Sequence, residues 1–230
     1  MEHWIYTMNI LGHSVSVNLD TIFTMWFAMG VVIVFALITT RHLSLVPGKL
    51  QAVGESIMKF IFSTLDTMVE TENRKHVPLV ASLFLFIITA NLMGQLPLRI
   101  IHLKSGAELA SPTNDINLTA AMAVIVLIYY VAVGIKAKGR KFLLHEFSFS
   151  GIVMALVEVL EMFTRPLSLA IRLFANIFAG EILVSIALGA MAYFLPLPIM
   201  LFEILVAFIQ ATVFMMLTIA YIGSAVKEEH

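Results

Sequence analysis

The feature that most constrains this chain is a set of long apolar runs that contain no Asp, Glu, Lys or Arg. Three of them cover 21–40, 77–98 and 116–135, and two more lie close together at 182–202 and 204–226. A helix rises about 1.5 Å per residue, so about 20 such residues cross a hydrocarbon core roughly 30 Å thick. The composition agrees, because 60% of the residues are hydrophobic and 13% are charged, against about 25% charged in soluble domains. The sequence therefore predicts an integral membrane protein.

Composition and motifs also exclude several classes of function. The formal net charge is -1, with 14 Lys and Arg against 15 Asp and Glu, so we expect no nucleic-acid partner. Zero cysteines exclude disulfides, thiolate nucleophiles and cysteine-ligated metals. The chain has no GxxxxGK[ST] phosphate loop, and we expect it neither to bind nucleotide nor to catalyse a reaction. We expect no cofactor, no metal and, because residues 1–20 lack a basic start and a compact apolar segment, no cleaved signal peptide.

The distribution of cations predicts the orientation, since Lys and Arg collect on the cytoplasmic side of a membrane. Two cations, Arg99 and Lys104, lie between the second and third runs. Ten lie in the segments that face the other side: Arg41, Lys49, Lys59, Arg74, Lys75, Lys136, Lys138, Arg140, Lys141 and Lys227. We therefore predict an odd number of crossings, with the N-terminus outside and the C-terminus in the cytoplasm.

A segment between the first two spans, about 47–72, has the pattern of an amphipathic surface helix. Its apolar residues recur every three or four positions, and they are Leu50, Val53, Ile57, Phe60, Ile61, Leu65 and Met68. Polar residues such as Gln51, Glu55 and Lys59 lie off that stripe. The pattern predicts a helix that lies along the cytoplasmic surface of the membrane.

The last third of the chain predicts two unusually long helices. From about 150 to 194 only Pro166 interrupts a helical pattern, and one helix of that length would be about twice as long as the membrane is thick. A break at Pro166 would leave a first piece too short to span. We therefore expect steeply tilted helices at about 150–194 and 198–226, joined at Pro196-Leu197-Pro198. The predicted fold is an all-α membrane protein, a single domain over 1–230 with about five crossing helices and one interfacial helix.

A polar stripe follows one face of the first long helix. Glu158, Glu161, Arg165, Ser168 and Arg172 are spaced 3, 4, 3 and 4 residues apart, which places them on the same side. Charges inside a membrane are costly, so they are usually paired or functional. Glu158 and Glu161 can neutralise Arg165 near the headgroups, and this interpretation gives the three residues a structural role. The stripe marks the helix as a candidate ion path.

Arg172 differs from the other charges because its helix offers no acid three or four residues away. A guanidinium does not lose its proton, so Arg172 must face water, another helix or another subunit. Asn176 is its neighbour at i+4. Three isolated polar residues lie in apolar runs: Glu181, Glu203 and Gln210. A lone buried acid can be protonated and inert. Together, however, the three residues indicate a hydrated ion path.

The run PLSLAIRLFANIFAGE at 166–181 closely resembles the signature of subunit a of the rotary F-type ATP synthases. PTNDINLT at 112–119, Gln210 and the Tyr221-Ile222 pair support the resemblance, which covers essentially the whole chain. The resemblance implies a membrane stator whose two offset half-channels carry protons to and from carboxylates of a rotating c-ring. It also implies peripheral-stalk b subunits and other ATP synthase subunits as partners.

The resemblance also implies roles for individual residues. Arg172 matches the family's essential arginine, Glu181 the acid of the outer half-channel, and Gln210 an amide near the arginine. Asn176 matches a polar position of the signature. Position 203 departs from the pattern, because some members have histidine where this chain has Glu203. Two further residues, Asp115 and Asn117, belong to a motif that is structural or lines the channel entrance.

The sequence leaves alternative functions open. Sodium could replace protons as the coupling ion, because ion selectivity would depend largely on the ring. A secondary transporter would also use intramembrane charges, but no internal repeat is visible in the sequence. An inert membrane scaffold leaves Arg172 unexplained. We expect a bacterial plasma membrane as the location.

Overall fold

The computed structural model describes residues 5–10, 13–41, 43–69, 75–95, 111–138, 149–190 and 196–226. Six α-helices lie in these ranges: α1 (Leu19–Thr40), α2 (Lys49–Met68), α3 (Val77–Gln95), α4 (Ile116–Lys138), α5 (Phe149–Ala190) and α6 (Pro196–Val226). All except α2 are long and apolar enough to cross a membrane. The prediction of an all-α membrane protein with about five spanning helices is therefore confirmed. That residues 1–230 form one domain stays a prediction.

A short β-hairpin that was not predicted from the sequence precedes the helices. Strand β1 (Ile5–Ile10) pairs antiparallel with β2 (His13–Asn18), in a register that joins Ile5 to Asn18 and Ile10 to His13. The available signal is the alternation of serine and valine from 14 to 17, which has the period of two that is typical of a strand. The hairpin leads directly into α1.

The two long helices are continuous, as expected, but their junction differs from the prediction. Helix α5 continues through Pro166 for 42 residues, about 63 Å at the usual rise. A proline removes only one backbone donor, and membrane helices tolerate that loss. Helix α6 begins at Pro196 rather than 198, so Leu197 is helical although a proline follows it. Both prolines lie in the first turn, where the missing N–H groups would have no helical partner.

Helix α2 packs against the other helices along only part of its apolar stripe. Ile61 and Leu65 are fully buried, whereas Leu50 and Val53 are exposed. At its C-terminal end the carbonyl of Met68 lies against α6, where a Cβ at Gly223 would be only 3.0 Å away. The N-terminal half of the stripe therefore remains available for lipid, which is what an interfacial helix requires.

Helix α6 is the centre of the bundle. It packs against α2, α3, α4 and α5, and α1 packs against α2 and α3. The shared core contains large side chains from five helices, among them Leu65, Phe84, Ile87, Met122, Leu169, Leu173, Phe214 and Ile219. In contrast, only Thr24 and Ala28 of α1 are buried. Helix α5 packs against α4, α6 and the turn at Pro112–Asn114.

Candidate functional site

The exposed face of α5 carries the arginine that the sequence singles out. Leu169, Leu173 and Ile177 are buried against the bundle at intervals of four residues. Arg172 and Ala175 lie away from this buried face and are exposed. The signature segment therefore has two faces, one apolar and packed, the other open and containing the guanidinium.

Arg172 makes no ion pair or hydrogen bond with any of the residues that the structure describes. Ser168, one turn before it, is exposed, and Asn176, one turn after it, is half-buried. The neighbouring Ala175 and Ala179 are exposed and small, so the surface around the guanidinium is shallow. A cation that stays charged within an apolar helix needs an external partner, and the small side chains allow another helix to come close.

For the remaining members of the polar stripe the structure describes the helical backbone alone. Glu158, Glu161 and Arg165 belong to α5, but their side chains are outside the described part of the structure. The same holds for the side chain of Glu181, although its backbone is helical. The neutralising contacts expected for the first three residues therefore stay predictions.

Glu203 is buried at the contact between α5 and α6. Its side chain is 8% exposed, and it packs directly on the backbone of Gly180. A Cβ built at position 180 would lie 2.5 Å from Oε1 of Glu203, so a side chain there would push the carboxyl, the flexible end of Glu203, out of this position. Glu181 is the next residue along α5. The structure thus brings residue 203, at which this chain departs from the family pattern, next to the Gly-Glu end of the signature.

Gln210 lies on α6 at the depth of the arginine. Five residues separate α5 from α6, so the two packed helices run antiparallel. On α6, Gln210 lies seven residues after Glu203, about 10.5 Å along the helix. On α5, Leu173, the neighbour of Arg172, lies seven residues before Gly180, which is the same distance along that helix. Gln210 is 6% exposed, and its Nε2 has no hydrogen-bond partner among the described residues. A buried amide with an unused donor is suited to hold water or a passing polar group.

Asp115 and Asn117 belong to a separate and well-bonded cluster at the start of α4. One oxygen of Asp115 accepts bonds from Asn18 (3.1 Å) and Thr21 (3.1 Å), both at the start of α1. The other oxygen accepts the backbone N–H and the side-chain amide of Asn117, at 2.9 and 3.0 Å. Asp115 therefore caps α4 and ties it to α1. Of the two alternatives left open above, this geometry favours a structural role.

The environment of Asp115 keeps its carboxyl charged. Partial burial raises the pKa of this group, but the donors from Asn117, Asn18 and Thr21 together outweigh burial and hold the pKa below its usual value. The charged form is the one that accepts all four hydrogen bonds. An acid that stays ionised in this way is a poor proton relay near neutral pH.

The buried polar residues His76 and Asn91 were not predicted from the sequence. His76, just before α3, shares a 2.9 Å hydrogen bond with the hydroxyl of Tyr129 on α4, and burial together with the charge of Lys75 lowers the pKa of His76. Asn91 on α3 is fully buried and contacts Thr113 of the Pro112–Asn114 turn. Both contacts join residues more than twenty positions apart, so no local sequence pattern indicates them.

Among the described residues, no group of three or more His, Cys, Asp or Glu could hold a metal ion. The absence of a cofactor and of a metal stays a prediction for the whole chain. What the described geometry offers is a charged outer face on α5 and, behind it, buried polar groups on α6.

Comparison with known proteins decides the family of this chain. Residues 22–223 match the model of the family described as ATP synthase A chain. The chain belongs to this family. It is 42% identical to ATP synthase subunit a of Gloeobacter violaceus over 214 residues, which are 93% of this chain and 86% of that protein.

Two chloroplastic relatives have similar coverage. The chain is 38% identical to the chloroplastic ATP synthase subunit a of Stigeoclonium helveticum over 231 residues, covering 100% of this chain and 92% of the relative. It is 37% identical to the chloroplastic subunit a of Oedogonium cardiacum over 213 residues, covering 92% and 84%. Membership of the family implies a subunit of an ATP synthase, with a part in ion transport and ATP synthesis across a membrane.

Proposed function

We propose that the chain is the membrane stator subunit of a rotary ATP synthase, and that it carries protons to and from the carboxylates of a rotating c-ring. The observation that carries the proposal is the exposed Arg172, which has no partner among the residues described for this chain. A permanent cation on an apolar outer face requires an anion from another subunit. A ring carboxylate supplies that anion.

The guanidinium has two consequences for a ring carboxyl that passes it. The positive charge stabilises the ionised carboxylate and so lowers its pKa, which favours release of the proton next to Arg172. The same fixed charge repels a proton that would pass directly from one half-channel to the other. Net proton flow then requires the ring to turn.

The outer half-channel is proposed to reach Arg172 along the contact between α5 and α6. Glu203 lies against Gly180 beside Glu181, and Gln210 lies about 10.5 Å further along α6, at the depth of Arg172. Glu181 and Glu203 are the residues proposed to exchange protons, and Gln210 and Asn176 are polar groups at the arginine. Ser168 is proposed to line the exposed face, where its hydroxyl adds a polar group one turn from the guanidinium.

The remaining features of the proposal follow from the same function. The chain catalyses no reaction itself, and peripheral-stalk b subunits and other ATP synthase subunits hold it beside the ring. The ten cations on one side support a cytoplasmic C-terminus, and the proposed location is a bacterial plasma membrane. Tilting of α5 and α6 would fit helices of about 63 and 46 Å into a core roughly 30 Å thick.

The test is ATP-driven proton uptake by vesicles that contain verified, fully assembled complex with Arg172→Ala. We expect coupled pumping to fall to the background set by a protonophore, and passive proton leak to persist or increase because the barrier between half-channels is gone. Arg172→Lys should not restore full activity, since an ammonium lacks the planar fork that engages a carboxylate. Normal pumping by Arg172→Ala would contradict the proposal. ATP-driven sodium uptake that resists the protonophore would show that the coupling ion is sodium and not the proton.

A further inference from the structure

Residues 43–47, between α1 and α2, form a loop that exposes large apolar side chains. Leu45 is fully exposed, and Val46 and Leu43 are 85% and 72% exposed. Leu50 and Val53 in the first turns of α2 are exposed as well. Apolar side chains that are clustered and exposed mark a surface that a partner or a membrane covers. The 43–47 loop is therefore a candidate docking surface, well apart in sequence from the signature on α5.

The amide of Gln51 ties this loop to α2. Its Oε1 accepts the backbone N–H of Ser44 at 3.3 Å, and its Nε2 donates to the backbone carbonyl of Ser44 at 3.1 Å. Nε2 also donates to Glu55 at 2.7 Å, and the amide is largely buried. The hydroxyl of Ser44 donates to the carbonyl of Val46 at 2.6 Å. Irregular backbone in water does not need such partners, whereas irregular backbone in apolar surroundings does.

The loop lies at the depth where α1 leaves the hydrocarbon core. Helix α1 has 22 residues, about 33 Å at the usual rise, which matches a core roughly 30 Å thick. A Cβ at Gly54 of α2 would lie 3.2 Å from Cβ of Thr39, so α2 touches the last turn of α1. Leu43 follows Thr39 by only four residues. The loop is therefore close to the boundary between acyl chains and headgroups.

Cations lie on both sides of the loop. Arg41 precedes it and Lys49 follows it, and both are exposed. The sequence has no Asp or Glu from 41 to 54. An apolar segment between two cations is complementary to a phospholipid surface, where anionic phosphates lie directly above hydrocarbon. The charge pattern therefore favours lipid over a protein partner as the group that covers the loop.

We propose that the 43–47 loop is a docking site for anionic phospholipid. Its three large apolar side chains enter the acyl-chain region, and the flanking cations, Arg41 and Lys49, bind the phosphates. Gln51 satisfies the backbone of the loop at that depth. The site anchors the junction of α1 and α2 in the leaflet on the side where α1 ends. It depends neither on the coupling ion nor on the contact of α5 with a ring.

The first test measures the depth of the loop in vesicles that contain the assembled complex, with reactive cysteines removed from the other subunits. The chain has no cysteine, so Leu45→Cys provides a single site for a fluorescent label. Ser63→Cys is the matched control, since Ser63 is exposed on the side of α2 that carries Lys59 and Asp66. Lipid with brominated acyl chains should quench the label at 45 at least about threefold more than at 63, and aqueous iodide should do the reverse.

Two results of this test would overturn the proposal. Stronger quenching by iodide at position 45 than at 63 would show that the loop lies in water. Protection of position 45 from both quenchers would show that another subunit covers the loop. Val46→Cys gives the same readout at the neighbouring exposed residue if Leu45→Cys does not assemble.

The second test concerns the headgroup. Brominated phosphatidylglycerol, which is anionic, should quench the label at 45 about threefold to fivefold more than brominated phosphatidylcholine at the same mole fraction. Arg41→Gln or Lys49→Gln should each reduce this preference at least about twofold. Lys59→Gln is the control, because it removes an exposed cation about 15 Å further along α2. An equal reduction by Lys59→Gln, or no preference in the unmodified complex, would exclude anionic lipid as the ligand of the loop.

The third test concerns the amide that ties the loop to α2. Gln51→Leu cannot bond to Ser44, and we expect quenching by brominated lipid at position 45 to fall at least about twofold because the loop backbone then needs water. Ser56→Ala is the control, since that exposed hydroxyl bonds to the carbonyl of Ala52 within α2. Unchanged quenching by Gln51→Leu would contradict the role of the amide. Arg172→Ala should leave all of these signals unchanged, so failure of the proposed function would not be mistaken for failure of the lipid site.

Discussion

Helices α1 and α5 both expose apolar side chains along much of their described length, yet their exposed faces differ in kind. On α1 the exposed face consists of large apolar residues, such as Trp26 and Leu37, at 67% and 62% exposure. On α5 the exposed face has Arg172 together with Ala175 and Ala179. A charge facing lipid at the centre of a membrane costs on the order of 2.5–3.5 kcal/mol or more. An apolar face without charge therefore suits lipid, whereas the face of α5 suits a protein partner that supplies an anion.

The largest effect is expected when a bulky side chain is placed on the face of α5. Ala175→Leu adds three carbons beside Arg172 and would keep a partner helix from approaching closely, so we expect coupled proton pumping to fall at least about tenfold. Ala36→Leu makes the same change on the exposed face of α1, where lipid can adjust to it. Pumping by Ala36→Leu should stay within about twofold of the unmodified complex. Equal losses from both substitutions would remove the distinction between the two faces.

A smaller effect is expected behind that face, at the contact between Gly180 and Glu203. A Cβ at position 180 would lie 2.5 Å from Oε1 of Glu203, so Gly180→Ala must move the carboxyl, which is the mobile end of its side chain. We expect the complex to assemble and ATP-driven proton uptake to fall about threefold to tenfold, because proton transfer requires close placement. Gly189→Ala is the matched control on the same helix, since a Cβ there would have no neighbour within 4 Å. If Gly180→Ala pumps as well as Gly189→Ala, the position of Glu203 against α5 does not matter for flow.

The smallest effect on transport is expected where α1 and α4 are joined by Asp115. The carboxylate of Asp115 has two acceptor oxygens, and Asp115→Asn leaves only one. We therefore expect a loss of about 1–3 kcal/mol in stability, with pumping largely preserved. Thr21→Val removes a single donor and should cost less. Thermal unfolding of the purified complex in detergent measures both. A loss of pumping from Asp115→Asn without loss of stability would instead make this cluster part of the ion path.

The pH dependence of this stability has a definite sign. The pKa of Asp115 is lowered in the folded protein, so its contribution is complete above the usual value of 3.8 and is lost as pH falls through the folded pKa. The difference in stability between the unmodified chain and Asp115→Asn should therefore shrink below about pH 4. A difference that is constant down to the lowest pH at which the protein stays folded would show that the charge of Asp115 contributes nothing.

The sequence predicts those parts of the fold that depend on length and polarity. Runs without charge predict the spanning helices, and the spacing of Leu169, Leu173 and Ile177 agrees with the buried face of α5. The exposed position of Arg172 agrees with the same helical period, which turns it about 100° away from Leu173. In these cases the membrane imposes a simple rule on every residue, so local composition decides the structure.

Contacts between distant segments could not be predicted in this way. The approach of Glu203 to Gly180 and the bond between Asn91 and Thr113 depend on how helices pack, which the sequence period does not specify. The hairpin was missed because its strands are short and precede the first apolar run. Helix α6 begins at Pro196, two residues before the predicted start, because the first turn of a helix accepts proline.

The most direct test of the central claim, that the face of α5 meets a ring carboxylate, is disulfide cross-linking in the assembled complex. The chain has no cysteine, so Ala175→Cys and Ala36→Cys each provide one thiol, to be paired with a cysteine placed beside the ring carboxylate. Two cysteines join only when their Cα atoms come within about 7 Å. We predict a cross-linked product with the ring subunit for Ala175→Cys and none for Ala36→Cys. Equal yields from the two positions, or no product from Ala175→Cys in verified complex, would contradict the account.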